Sequence, residues 1–371
     1  LRANTETLFH NAADHLLASS VHPVLFRAIR SCGETGLLTT ATNHAVRLRD
    51  RALEHLGPDH PDTLATRQSV AYWRGEAGNA AGAVTELTAV VADHVRVLGA
   101  DHPATLSARG NLAYWRGEAG DAHEAVTDLR ALLDDHQQIL GPDHPDTLTT
   151  RHNLARWQGE TGHPKAAVAE FESLLADRLR ILGPGHPHTL TTRHNLARWR
   201  GEAGDPTGAI TELTTLLADR HRILGPDHPQ TLATRHNLAR WRAESGDRDT
   251  AIRELADLLA DHLRVLGPNH PETLTNRHNL ALWRGMTGAH DRATTELRQV
   301  LTDRQRVLGP AHPHTFTTRG LIASMLGQAG DIPAAVTELE ALLTDQERVL
   351  GTHHPHTATT RADLAHWHSI E

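Results

Sequence analysis

Cys32 is the only cysteine among the 371 residues, so no disulfide can form within the chain and an oxidising compartment is not indicated. Aromatic residues make up 4%, too few for a sandwich or barrel built on aromatic strands. Lys165 is the sole lysine, and it is followed by Ala166 where a phosphate-binding P-loop needs Ser or Thr. No apolar run is long enough to cross a bilayer, and no charged-then-apolar leader is present. Charge of one sign is never massed. The 37 basic and 45 acidic residues, net −8, are spread through the whole length, unlike the clustered basic footprint of a nucleic-acid binder. These absences leave a soluble, helical, cytoplasmic chain, with neither nucleic acid nor membrane as partner.

What the chain has in abundance is self-similarity. Leu-Gly recurs from Leu56 to Leu350 at a constant interval of 42 residues, and His-Pro recurs in step from His60 to His354. Trp holds the same register at Trp73, Trp115, Trp157, Trp199, Trp241, Trp283 and Trp367, with Met325 standing in once. A fixed period of this length marks a repeat array in which each unit packs on the next. The chain opens on Leu1 and stops at Glu371 soon after a repeat has begun, so it is expected to be part of something longer.

Within one period the punctuation spells two helices. Pro145 suits a first helical turn, where its missing N–H is not needed. Helix A then runs to about Glu160, and Gly162 follows as a stop able to adopt positive φ. Helix B opens on a cap: Asp121 with Glu124 as a capping box, Asp205 before Pro206, Asp331 before Pro333. Val168, Phe171, Leu174, Leu175, Leu179 and Leu182 make one apolar stripe, and Gly183 ends the helix. The Trp column is expected to fill the core between helices. Ala at 83, 125, 167, 209, 251, 293 and 335 is expected to let helix A of the same unit come close.

The helical hairpin with Asn-Leu-Ala in helix A, Gly before the turn and Ala in helix B resembles the tetratricopeptide repeat, in the 42-residue version of kinesin light chains, whose units also begin Gly-x-x-His-Pro. The likeness implies an all-α, right-handed α-solenoid. It assigns residues 1–20 to an N-terminal capping helix, 21–56 to a degenerate first repeat, 57–350 to seven regular repeats and 351–371 to an unpaired C-terminal helix A, all one continuous domain. Blocks such as "LGPDHPDTLATR" behind "NAADHLLASSVHP" also resemble the C-terminal repeats of actinobacterial signal-transduction ATPases of the NB-ARC type. That likeness implies the sensing arm of a larger signalling ATPase. The sequence departs from the family where its Tyr becomes Arg116, Gln158 and Arg200, which implies a more polar surface there.

By the same resemblance, helix A lines a concave groove for a protein or peptide ligand. The matching positions are Asn111, Asn153, Asn195, Asn237 and Asn279, with His152, His194, His236 and His278, Arg156, Arg198 and Arg240, and Glu160, Glu202 and Glu244. Spacings of three and four place His, Arg and Glu on one helical face. The amide carries donors and an acceptor together, which suits an extended peptide and equally suits a bridge to the neighbouring helix. The Asn column gives way to Ser69, Leu321 and Asp363 outside the central units.

Thirty histidines, among them the "HHPH" of His353 to His356, do not converge as a zinc site requires, because the repeated His falls once per unit; no metal and no cofactor is expected. No nucleophile, acid and base come together, and "HEAVTD" at His123 lacks the second His of a zinc protease, so no enzyme is expected. The alternative to ligand binding is a structural array that stacks end to end through its C-terminal helix.

Overall fold

The computed structural model describes residues 17, 19–34 and 36–370; the expected capping helix over 1–20 lies, but for its last residues, outside them. Seventeen α-helices and no strand occur among the described residues. The A helices are α1 (Pro23–Glu34), α3 (Pro61–Glu76), α5 (Pro103–Glu118), α7 (Pro145–Glu160), α9 (Pro187–Glu202), α11 (Pro229–Glu244), α13 (Pro271–Met286), α15 (Pro313–Gln328) and α17 (Pro355–His368). Between them lie the B helices α2 (Leu38–Leu56), α4 (Ala80–Leu98), α6 (Ala122–Ile139), α8 (Pro164–Leu182), α10 (Pro206–Leu224), α12 (Arg248–Val265), α14 (His290–Val307) and α16 (Ile332–Val349). The chain divides into two compact units, residues 1–150 and 151–371. In each, successive helices pack as hairpins, and the repeat register runs through the division unchanged.

The expected punctuation sets the helix ends. Gly162 and Gly183 take φ of 85° and 82°, a left-handed backbone that a side chain would strain. Asp205 accepts the Gly208 N–H at 2.8 Å and Asp331 that of Ala334 at 3.2 Å. The capping box at Asp121 does not form: its side chain caps nothing, and its backbone N–H, which Glu124 would have needed, already closes the preceding helix on the Arg116 carbonyl at 2.9 Å.

The core forms as a relay between neighbours. Trp199 and Trp241 are 3% and 2% exposed, and each ring lies over a glycine of the preceding A helix, Gly159 and Gly201. A Cβ at either glycine would overlap the ring. Ala167, Ala209 and Ala251 are fully buried, as expected of the close approach. The stripe on α8 differs from its sequence reading. Phe171 and Leu174 are buried, but Leu179 is 42% exposed and Arg178, beside it, is 3% exposed. Its guanidinium reaches the Thr192 hydroxyl at 2.6 Å and the His188 carbonyl at 3.0 Å, so a residue that pattern places in water lies inside. Seven hairpins, from α3–α4 to α15–α16, are also clasped by an ion pair from helix A to helix B, such as Arg193 to Asp219 at 2.7 Å and Arg235 to Asp261 at 2.6 Å.

Candidate functional site

The Asn, His, Arg and Glu columns all lie on A helices. In the second unit, three of the amides bridge to the histidine of the preceding A helix: Asn195 to His152 at 3.1 Å, Asn237 to His194 at 2.8 Å and Asn279 to His236 at 2.8 Å. Each rung joins residues 43 apart, one from each of two successive repeats. The other ring nitrogen of His194 faces Arg220 Nη1 at 3.4 Å. A guanidinium only donates, so Nδ1 carries the lone pair and Nε2 the proton. The Asn237 amide, turned end for end, then meets Nε2 through its oxygen.

Behind these histidines stands a column that the sequence reading did not single out: His94, His136, Arg178, Arg220, His262 and Arg304, all buried, at one position of successive B helices. Arg220 is 2% exposed and holds the Thr234 hydroxyl at 2.6 Å and the Gln230 carbonyl at 2.9 Å, with no carboxylate among its hydrogen-bond partners. Burial pushes the guanidinium down to about 10. Burial, then the adjacent guanidiniums of Arg178 and Arg220, push His152 and His194 down to about 3. Burial with Arg304 does the same to His278, and burial with His262 takes His236 to about 4. These groove histidines are therefore neutral, and His152, His194 and His236 serve as hydrogen-bonding groups. The variation of one B-helix position between His and Arg at the 42-residue register was the available signal for the column.

The Arg and Glu columns also meet across repeats. Arg198 bonds Glu160 at 2.8 Å, and Arg240 bonds Glu202 at 2.9 Å and Glu244 at 2.7 Å. The guanidiniums of Arg156, Arg198 and Arg240 lie 4.8, 4.6 and 4.6 Å from the ring centroids of Trp157, Trp199 and Trp241. Such half-exposed pairs are weak and exchange with a competing ligand group at small cost.

The face is open where the columns break. In the first unit the His register holds Phe26, Gln68 and Gly110, and the Arg register holds Arg30, Tyr72 and Tyr114. There a cavity of about 580 Å³ lies against α1, α3 and α5, lined among others by Phe26, Arg30, Gln68, Tyr72, Trp73 and Asn111. Asn111 has no hydrogen-bond partner among the described residues, since Gln68 replaces the histidine that its counterparts meet. Tyr72 is 38% exposed and packs edge-on to Trp73 and Trp115, with ring centroids 5.0 and 5.9 Å apart. In the second unit a smaller cavity of about 290 Å³, which Ser324, Gln328, Asp363 and His366 help to line, opens where the same registers lose His and Asn. Among the described residues no group of three or more His, Cys, Asp or Glu could hold a metal, and no helix is long and apolar enough to cross a membrane.

Two family models, both described as tetratricopeptide repeat, match the chain: one over residues 111–178, the other over 189–230, 231–272, 273–314 and 315–356. Together they cover well over half of it, and the chain belongs to the tetratricopeptide repeat family. Among solved structures it is similar to a Podosopora anserina putative kinesin light chain with nearly identical TPR-like repeats, at 29% identity over 56% of this chain and 98% of that one, with a TM-score of 0.47. A Rap protein complexed with Competence and Sporulation Factor matches at 10% identity over 94% of this chain and 98% of that one, with a TM-score of 0.56. The apo form of RapI matches at 9% over 77% and 98%, with a TM-score of 0.53. The Rap likenesses show the all-helical repeat fold. No curated protein matches.

Proposed function

We propose that the protein is a non-enzymatic scaffold that holds an extended protein segment along its A helices, anchored in the first unit at Asn111. The observation that carries this reading is the cavity of about 580 Å³ beside an amide with no partner of its own. A volume of that size accepts several residues' worth of side chains, and an unspent amide can pair with a peptide backbone in both directions. Asn153 shares the uncommitted state, because Gly110 stands where its histidine would be. The rungs at Asn195, Asn237 and Asn279, with their histidines and the Arg and Glu rows, then serve to brace the second unit. In this reading the array works in the cytoplasm as the sensing arm of a larger signalling ATPase, and it needs no cofactor.

A displayed library of random peptides selected on the purified chain tests the reading. Selected peptides should lose at least tenfold in affinity on Tyr72→Ala or Asn111→Ala, and little on Asn237→Ala, with all three variants folded by circular dichroism. Peptides whose affinity is untouched by the first two substitutions would remove the cavity from the function.

A further inference from the structure

Eight successive A helices, α3 to α17, begin on a histidine that caps them with its own ring. Nδ1 of His60, His102, His144, His186, His228, His270, His312 and His354 accepts the backbone N–H two residues on, at 3.1 to 3.2 Å in every case. Most helices use Ser, Thr, Asp or Asn here, whose oxygens remain acceptors throughout the neutral range. An imidazole does not: the proton that charges it takes the lone pair the cap depends on, and sets a positive charge at the positive end of the helix dipole.

Titratable and charged groups surround the caps. From the preceding B helix, His94 interacts electrostatically with His102, His136 with His144, and His262 with His270. At three other junctions Arg178, Arg220 and Arg304 bond the carbonyls of His188, Gln230 and His314, two residues past the caps. The ion pairs Arg67–Asp93, Arg109–Asp135 and Arg235–Asp261 flank the histidine junctions. On the capped helices themselves, Asp62 and Asp146 lie 4.0 and 3.7 Å from their caps, Glu272 follows His270, and His188, His314 and His356 stand against theirs with ring centroids 5.2 to 5.3 Å apart. At six of the eight junctions the B-helix position before the cap holds one of these imidazoles or guanidiniums; Ala52 and Gln346 hold it at the other two.

We propose that the histidine caps make the array an acid-sensitive latch: proton uptake at Nδ1 unfastens the first turn of the A helices in every repeat, and the hairpins loosen together on mild acidification. The proposal is independent of the peptide-binding reading.

Amide hydrogen exchange on the full chain tests it, comparing about pH 7.5 with about pH 5.5 after correction for the intrinsic exchange rate. In the parent, the first turns of α9, α11 and α13 should lose roughly fivefold protection or more, the size of a lost cap. In His228→Asn, which keeps an acceptor that does not titrate, α11 should retain its protection while α9 and α13 lose theirs within the same molecule. The six-fold variant with Asn at 102, 144, 186, 228, 270 and 312 should extend that retention to all six helices. Equal loss at α11 in parent and His228→Asn, or no loss in the parent, overturns the proposal. Since one cap is changed in a chain whose other caps are intact, the single variant decides the matter even where the six-fold variant does not fold.

Discussion

The side chain that most directly holds one repeat to the next is the tryptophan, and its seat is a glycine. Trp241 lies where a Cβ at Gly201 would overlap it, while one repeat on, Ala243 stands at the glycine's register and packs in one cluster with Trp283, which is 7% exposed. A small residue is thus accepted there and a large one is not. Trp199→Ala should cost about 3 to 5 kcal/mol, and Gly201→Leu should destabilise far more than Gly201→Ala, all read from urea midpoints. A Gly201→Leu chain as stable as the parent would refute the seat. The tryptophan and alanine columns were legible in the sequence, because size and register alone decide what fills a layer. Arg178 was not legible. Its burial depends on the His188 carbonyl and the Thr192 hydroxyl, ten and fourteen residues further on, and hydropathy along α8 carries no trace of them.

Helix ends were predictable wherever one residue suffices. Pro at the first turn and Gly at the last fix backbone angles by themselves, so the boundaries Pro145 and Glu160 agree with the expectation. Caps are harder, because the same residue can be spent twice. Asp205 and Asp121 read alike, yet only Asp205 bonds its helix. Asp205→Ala should therefore lower stability by about 1 kcal/mol, and Asp121→Ala by a few tenths at most. Thermal unfolding of the two variants side by side checks this; equal losses would mean that the open Asp121 cap is not the solution state. The candidate groove was half legible for a related reason. Helical spacing put Asn, His, Arg and Glu on one face, but whether an amide meets a ligand or a neighbour depends on the helix before it. Histidine there makes a rung, and Gln68 or Gly110 leaves the amide uncommitted.

Across the whole chain, neutral buried imidazoles set the response to pH. His152, His194 and His278 are held to about 3, and His236, His262 and His314 to about 4, by burial first and by a neighbouring guanidinium or imidazole second. Unfolded, each titrates near about 6.5. Below that value the unfolded chain binds more protons than the folded one, so stability is fully present above about pH 6.5 and drains away as pH falls towards 4 and then 3. The carboxyls of Asp177 and Asp219, held below their ordinary value by hydrogen bonds from Arg151 and Arg193 respectively, against burial that acts in the opposite sense, add to the loss in stronger acid. Urea midpoints measured from pH 7.5 downward should fall continuously with a slope of several protons; a flat profile to about pH 5 would mean these rings are already solvated in the native state.

The rungs joining His194 to Asn237 and His236 to Asn279 draw one partner from each of two copies, so each central copy carries both halves of a joint that it cannot close alone. Any central copy fits behind any other. For the gene, a crossover between misaligned copies that adds or removes 42 codons leaves all joints matched, and the length of this protein becomes something that heredity can adjust in whole steps without inventing a single new contact.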